Sequence, residues 1–525
     1  MQSGRPLGAD LAFFAAYLII TMVIGWFSKR RNISVGEYLN ATHVMPLWAV
    51  VTAYIATNCG ALEIVGLSAM AAQYGAQALH FYWVGAIPAM IFLALWMMPI
   101  YRRNNITSVP GYLLLRYGPR MRLINACITA IMLLLLAGIS QYAVAQVLAA
   151  TMSLPFEYGI ALCSIALTIY VLLGGIRATI YNEIFQLAVI VAGLLPLAIL
   201  SARRFRTLPA WALGNRVHLW RGLPLAAPHA PMDALGVTVG LGLVLSFGYW
   251  CTDFVLMQRA FTARTELEAR QVPLWAGFGK HLFSMIVIVP GLVAYGLVPN
   301  LNSRYDRALP SLMTLLYGRW LTDLGITALA ASLMSGLASN VSAFAALWTE
   351  DIYRQVLRPG KSDRHYLTMG RVAVIFAVIV SLFASYLNFL FANLMEHVQL
   401  IFSVFAAPFW AVFLLGIFSR RTSERGAMTG FFAGSILSSL HSIAVMRGWL
   451  HYGSTMSANF YASIYAFTIA MIVGWLSSPP PTPEAARQHA TLRWQREDLI
   501  PRNRMLCILS VILFASTILM NILWW

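Results

Sequence analysis

Apolar stretches of about 20 residues recur along the chain, separated by short polar connections. A bilayer-spanning helix needs about 20 predominantly apolar residues. About 14 stretches qualify, centred near residues 20, 60, 90, 137, 163, 190, 248, 285, 333, 375, 404, 435, 467 and 514. The predicted fold class is an all-α integral membrane protein. The longest polar connections, 202–233 and 479–502, leave no room for a soluble domain. The first stretch, about 11–28, is full length, runs into Lys29-Arg30-Arg31 and lacks a small-residue cleavage site. It reads as a retained span rather than a signal peptide.

Composition agrees. Of 525 residues, 59% are hydrophobic and 10% charged, where soluble proteins carry about 25% charge. The net charge of +17 would suit a nucleic-acid partner, but the basic residues sort into alternate loops. With residues 1–10 placed outside, 25 Lys and Arg fall in inside loops, 10 in outside loops, and Lys280 within a span. The positive-inside rule then puts both termini outside, in a multi-pass protein of the plasma (inner) membrane, and no nucleic acid is needed as partner. Loop 202–233 dissents, with Arg203, Arg204, Arg206, Arg216 and Arg221 on the outside. A miscounted helix would explain it, and so would a loop long enough to cross with its charges. The five cysteines, Cys59, Cys127, Cys163, Cys251 and Cys507, lie in apolar stretches with neither zinc-site nor disulfide-framework spacing.

An ionisable group inside a span is expensive unless it faces a cavity, a partner or an ion. Glu63, Glu183, Asp253, Lys280 and, less clearly, Glu396 are so placed. Around Glu63, Ala56-Thr57-Asn58-Cys59-Gly60-Ala61 interrupts an apolar run, which suits an unwound helix whose freed backbone groups line a cavity. Small-residue helix packing is the competing explanation. Ser246, Tyr249, Trp250, Thr252, Asp253 and Gln258 crowd another span, rings beside hydrogen-bonding groups as a sugar would need, or an interfacial aromatic belt. Ser332, Ser335 and Ser339 share one helix face, a suitable wall for a small hard cation. The run Gly174-Gly175-Ile176-Arg177-Ala178-Thr179-Ile180-Tyr181-Asn182-Glu183-Ile184-Phe185-Gln186 sets a carboxylate and two amides at the head of a further apolar stretch.

That last run resembles the signature of the sodium/solute symporter family, with Asn182 for its Thr and Glu183 for its Asp. Tyr249-Trp250-Cys251-Thr252-Asp253 with Gln258-Arg259, Lys280 before Pro290-Gly291, Gln399 before Pro408, Thr107-Ser108-Val109-Pro110-Gly111-Tyr112 and Thr349-Glu350-Asp351-Ile352-Tyr353 extend the likeness, which is nearest the sodium/glucose cotransporters. The resemblance implies a leucine-transporter-like fold. Two inverted five-helix repeats would span about 46–418, after an extra helix and loop at 1–45 and before additional helices at 419–525.

It also implies site roles. Asn58, Lys280 and Gln399 stand where relatives bind sugar hydroxyls, Tyr249 and Trp250 where they carry aromatic lining, and Asp253 matches the animal glucose transporters. Two positions depart: Tyr82 replaces the family's sugar-binding Glu, and Glu63 replaces a Gln or His. One carboxylate has left the pocket and another has entered, which leaves the particular sugar open. For sodium, backbone carbonyls of Ala56, Cys59 and Ser332 and the Ser335 hydroxyl match the usual site, but Gly336 lacks the neighbouring hydroxyl. Glu183 near Ser339 matches a second sodium region, with a proton as the alternative ion. The expected function is a symporter moving a sugar-like polar solute with sodium and using no cofactor. Glu63 and Lys280 are a candidate pair whose separation the sequence leaves open. A proton-coupled or uncoupled transporter of another polar solute is the alternative, as is a non-transporting sensor, disfavoured because 479–525 holds only one loop and one span. A membrane hydrolase lacks a nucleophile–base or metal-ligand arrangement.

Overall fold

The computed structural model describes residues 7–27, 45–60, 62–152, 155–209, 214–299, 301, 304–391, 393–480, 490–493 and 503–525. Helix accounts for 84% of the described residues, which include no strand. The loop Lys29-Arg30-Arg31 lies outside the described residues. Among the described residues, ten helices are long and apolar enough to cross a bilayer: Phe81–Arg103, Pro119–Ala149, Ala178–Phe205, Glu266–Leu297, Arg319–Leu357, Asp363–Leu390, Leu394–Phe418, Glu424–Met446, Thr455–Leu476 and Arg504–Leu523. Two bent pairs raise the number to as many as 12. The stretches expected near residues 20 and 163 appear as shorter apolar helices, Ala12–Phe27 and Phe156–Ile169.

Local chemistry sets several helix starts. Ser108 accepts a hydrogen bond from Gly111 N, with Pro110 in the first turn that follows. Thr265 and Glu268 form a reciprocal capping box at the start of Glu266–Leu297. Asp233 accepts bonds from Gly236 N, Ala227 N and the Tyr461 hydroxyl, tying the outer loop to the helix that follows.

The first bent pair is Leu47–Asn58 with Leu62–Leu79, at 52°, and the second is Gly236–Thr252 with Phe254–Ala260, at 50°. Residues Phe156–Phe205 are helical throughout, yet the chain turns back within them. Gln141 bonds Ser164 and Gly159 packs on Ala145, so 156–164 runs antiparallel to Pro119–Ala149. Glu183 meets Ser339 while Gly193 meets Leu324 and Ala328, so 183–193 runs antiparallel to Arg319–Leu357. Pro119–Ala149 and Arg319–Leu357 are themselves antiparallel, with Arg122 near the start of one on Asp351 near the end of the other, so the chain reverses between Ser164 and Glu183. Counted so, four crossings lie between the two bent helices, which therefore traverse the protein in opposite directions.

Contacts between loops sort the two ends of the bundle. At one end Arg103 meets Thr491, Arg120 N meets Glu424, Arg122 meets Asp351 and Arg421 meets Ser478. At the other, Arg216 meets Ala72, Leu219 N meets Trp524 O, Leu394 N meets Asp306 and Gly453 N meets Pro228 O. The described part of the loop 202–233 therefore sits at the same end as Ala72 and Trp524. Its charges have local reasons. Arg203 and Arg204 occupy the last turn of a helix, where a cation complements the dipole. Arg216 donates to Ala72 O at 2.6 Å and lies over the Tyr295 ring at 3.7 Å. Gly75 has φ +79° at the end of the outer half-helix, against the Arg216 backbone.

Candidate functional site

The first bent helix is interrupted after Asn58, and a cavity opens at the interruption. Asn58 ends the inner half, and Glu63 stands in the first turn of the outer half. Lys280, from the middle of Glu266–Leu297, donates both to Asn58 Oδ1 and to the Glu63 carboxylate, so its ammonium bridges the two halves. Lys280 is 1% exposed and Glu63 4%. A buried charge needs a partner, and each of these is the other's. Asn58 Nδ2 donates to the Tyr249 hydroxyl at 2.8 Å. Lys280 Nζ also lies 5.5 Å from the Trp250 ring centre and 5.8 Å from that of Tyr82.

Seven of the eight expected solute residues line this one cavity: Asn58, Glu63, Tyr82, Tyr249, Trp250, Lys280 and Gln399. Three of them hold buried polar atoms without a hydrogen bond, Glu63 Oε1, Tyr82 Oη and Gln399 Oε1. Buried polar groups are ordinarily satisfied, so three such residues around one cavity mark a place for a polar guest. The eighth, Asp253, lies elsewhere. It sits at the bend of the second broken helix and caps its inner segment, accepting from Leu256 N at 2.9 Å. It lines two smaller cavities beyond Tyr249. Tyr249 borders all three cavities and stacks on Phe402 at 5.4 Å. The sequence drew no attention to Phe402 or to Met395, whose sulfur accepts the Gln399 amide at 3.3 Å. Both are apolar residues of an apolar span, with no local signal.

The serine face packs against the same interruption. Ser335 Oγ donates to Ala56 O at 3.5 Å, and buried Ser332 Oγ has no partner. A Cβ on Gly60 would stand 3.2 Å from Gly336 Cα, so only glycine allows the two backbones to approach this closely. Ala56, Cys59, Ser332 and Ser335 are all buried here.

Glu183 is held differently. Its Oε1 accepts from Arg259 Nη2 and from Ser339 Oγ, both at 2.7 Å, and Glu183 and Arg259 are fully buried. Glu183 Oε2 and Arg259 Nε have no hydrogen-bond partner. Arg259 was legible as part of a motif but not as this carboxylate's counter-ion. Glu396 joins Tyr74 at 3.0 Å and Gln73 at 3.2 Å, linking the outer end of the first bent helix to Leu394–Phe418.

A multi-pass helical bundle with two oppositely directed broken helices and a polar cavity at the break is the architecture of a secondary transporter. The family model for the sodium:solute symporter family matches residues 38–434, and the chain belongs to that family. A sodium/myo-inositol cotransporter 2 from Sus scrofa is 29% identical over 82% of this chain and 69% of its own length. A sodium/glucose cotransporter from Vibrio parahaemolyticus is 25% identical over 81% of this chain and 83% of its own. Among solved structures, a Na+-coupled sialic acid symporter in a substrate-bound outward-open state superimposes with TM-score 0.74, covering 90% of this chain and 98% of that one at 18% identity. A nucleobase-cation-symport-1 family transporter gives TM-score 0.51 at 12% identity. The fold is leucine-transporter-like.

Proposed function

We propose that the protein is a symporter that carries a neutral sugar-like or cyclitol solute through the cavity at the helix break, driven by sodium entering with it. The observation that carries this reading is the convergence of Glu63 Oε1, Tyr82 Oη and Gln399 Oε1, all buried and unpartnered, beside the Lys280 ammonium. Such a set suits hydroxyls, and the Tyr82 and Trp250 rings suit the C–H face of a saturated ring. The relatives named for glucose and myo-inositol transport support the same class.

The transport core is 46–418, between an added N-terminal helix with its loop (1–45) and added C-terminal helices (419–525). Both termini face outside, and the membrane is the plasma (inner) membrane. Tyr249 closes the path from the central cavity to the smaller ones beyond it. Rocking of the broken-helix bundle against its scaffold then exposes the cavity to each side in turn, with no covalent step. Sodium is cargo, held by carbonyls of Ala56, Cys59 and Ser332 and the Ser335 hydroxyl. The unpartnered Ser332 Oγ and the Ser335–Ala56 contact fit that role. Gly336 leaves the cage one hydroxyl short, so affinity is low, and Gly336→Ser lowers the half-saturating sodium concentration. Glu183 offers a second ion only Oε2, because Oε1 is shared by Arg259 and Ser339.

The test is uptake of labelled myo-inositol and glucose into proteoliposomes at fixed membrane potential, with and without a sodium gradient. Accumulation that requires sodium supports the reading. A rate independent of sodium from zero to saturation removes the coupling. A rate that instead follows an imposed pH gradient and disappears in Glu183→Gln moves the coupling to a proton.

A further inference from the structure

We propose that the Glu63–Lys280 pair is a built-in set of counter-ions that makes the central cavity accept neutral, hydroxyl-rich solutes and reject those bearing a carboxylate. The inference rests on the cavity being the transport site. At a break in a membrane helix, the inner half ends in carbonyls without partners and the outer half begins with N–H groups without partners. The first end is partly negative and the second partly positive. In broken-helix transporters the positive end is where an anionic group of the substrate docks. Here Glu63, in the first turn of Leu62–Leu79, places the chain's own carboxylate at that end. Lys280 bonds Asn58, the last residue of Leu47–Asn58, and so brings a cation to the negative end. Each end of the break meets its complement, and the pair sums to no net charge.

The unpartnered atoms carry the argument from charge to ligand. Glu63 Oε1 and Gln399 Oε1 only accept, and Tyr82 Oη does either. A guest must therefore bring donors. Ring hydroxyls donate to all three. A carboxylate has no hydrogen to give, and it would lie against Glu63, whose single cation is already engaged. Two of the three Lys280 N–H groups go to Asn58 and Glu63, which leaves one for the guest's oxygen. Specificity of this kind comes from a repulsive element as much as from attraction.

The experiment uses the full-length protein in proteoliposomes, with labelled myo-inositol and labelled glucose as probes. Competitors are glucuronate and its methyl ester, which share a ring and differ in charge. The ester is expected to displace the better probe at a concentration at least 100-fold below glucuronate. Equal potency of acid and ester overturns the inference, and so does an ester as inert as the acid. In Glu63→Gln the Lys280 cation faces the cavity unneutralised, and the affinity of glucuronate relative to the probe should rise at least 10-fold. An unchanged ratio overturns the inference. If that variant does not fold, the wild-type comparison decides alone. Failure of both probes to bind wild-type protein is a different result: it removes the proposed solute class, and the inference falls with it.

Discussion

Among the described residues, two ion pairs have both partners buried, Lys280–Glu63 and Arg259–Glu183, with similar chemistry and different surroundings. The first lines a cavity and bridges the two halves of an interrupted helix. The second borders none of the three cavities around the break, and Glu183 Oε1 is shared between a guanidinium and a serine. A bidentate-capable, weakly hydrated Arg suits a permanent buried pair, and a compact Lys with three rotatable donors suits a pair that must also serve a guest. The difference teaches that a charge inside a membrane span becomes a site only where there is room beside it.

The largest effect should come from breaking the closed pair. Arg259→Met leaves Glu183 buried without a cation, and removing one partner of a buried pair costs about 3–5 kcal/mol. The expected outcome is a sharp fall in thermal midpoint and in folded yield from detergent. Lys280→Met also leaves a buried carboxylate without its cation, but the adjoining cavity gives water room to enter, so the midpoint should fall less than in Arg259→Met, while solute binding is lost. Thermal unfolding and probe binding on both variants check this. An unfolded Lys280→Met beside a stable Arg259→Met would reverse the comparison.

Next is the contact between the interruption and the serine face. Gly60→Ala places a methyl 3.2 Å from Gly336 Cα, tighter than ordinary contact, so the helices must part by a few tenths of an ångström. Ser335 then draws away from Ala56, already at 3.5 Å. Half-saturating sodium should rise several-fold, measured as sodium-dependent uptake, with a smaller change in probe affinity at saturating sodium. An unaltered sodium dependence would detach the ion from this contact.

Much of this site was legible because polar residues in apolar spans are costly enough to stand out. Asn58, Glu63, Lys280 and Gln399 announce themselves, and the structure gathers all four around one cavity. Pairings were less legible: Glu63 and Lys280, 217 residues apart, stood as a candidate pair without a distance, and Arg259, 76 residues from Glu183, was not read as its counter-ion, because no local pattern encodes such contacts. Asp253 shows the converse. Its type and neighbours suggested a solute contact, but at a helix bend an aspartate also serves as a cap, and the structure has it capping. The loop 202–233 looked anomalous because loop charge was counted without its contacts. Once Arg216 is seen over Tyr295 and on Ala72, that residue is accounted for.

A smaller effect should follow at the hydroxyl that separates the central cavity from those beyond it. Tyr249→Phe removes the acceptor of the Asn58 amide, a bond of 2.8 Å, and keeps the ring that stacks on Phe402. A net hydrogen bond contributes about 0.5–1.5 kcal/mol. Probe affinity should weaken by roughly two- to tenfold, in line with that range, without loss of folded protein. A far larger loss would give the hydroxyl a direct contact with solute.

The smallest effect should appear at the end of the bundle that holds Leu394 and Asp306, where a carboxylate lacks the close cation that both buried pairs have. Asp306 lies in the loop before helix Ala308–Leu316 and accepts from Leu394 N at 3.1 Å. Burial pushes its pKa up to about 7, opposed by that backbone bond, raised further by the charge of Glu396 and lowered by Arg304. The folded state thus binds a proton more tightly than the unfolded chain, whose aspartate titrates near 3.9. Between those values the folded state holds the greater number of protons, so stability falls as pH rises from about 4 to about 7 and levels off above. The expected result is a higher thermal midpoint at pH 5 than at pH 8. Asp306→Asn, neutral throughout, should flatten that part of the profile and keep the pH 5 midpoint. A profile as steep in Asp306→Asn as in the wild type would assign the pH dependence to another group, and Asp306 would then be no carboxylate of a third kind.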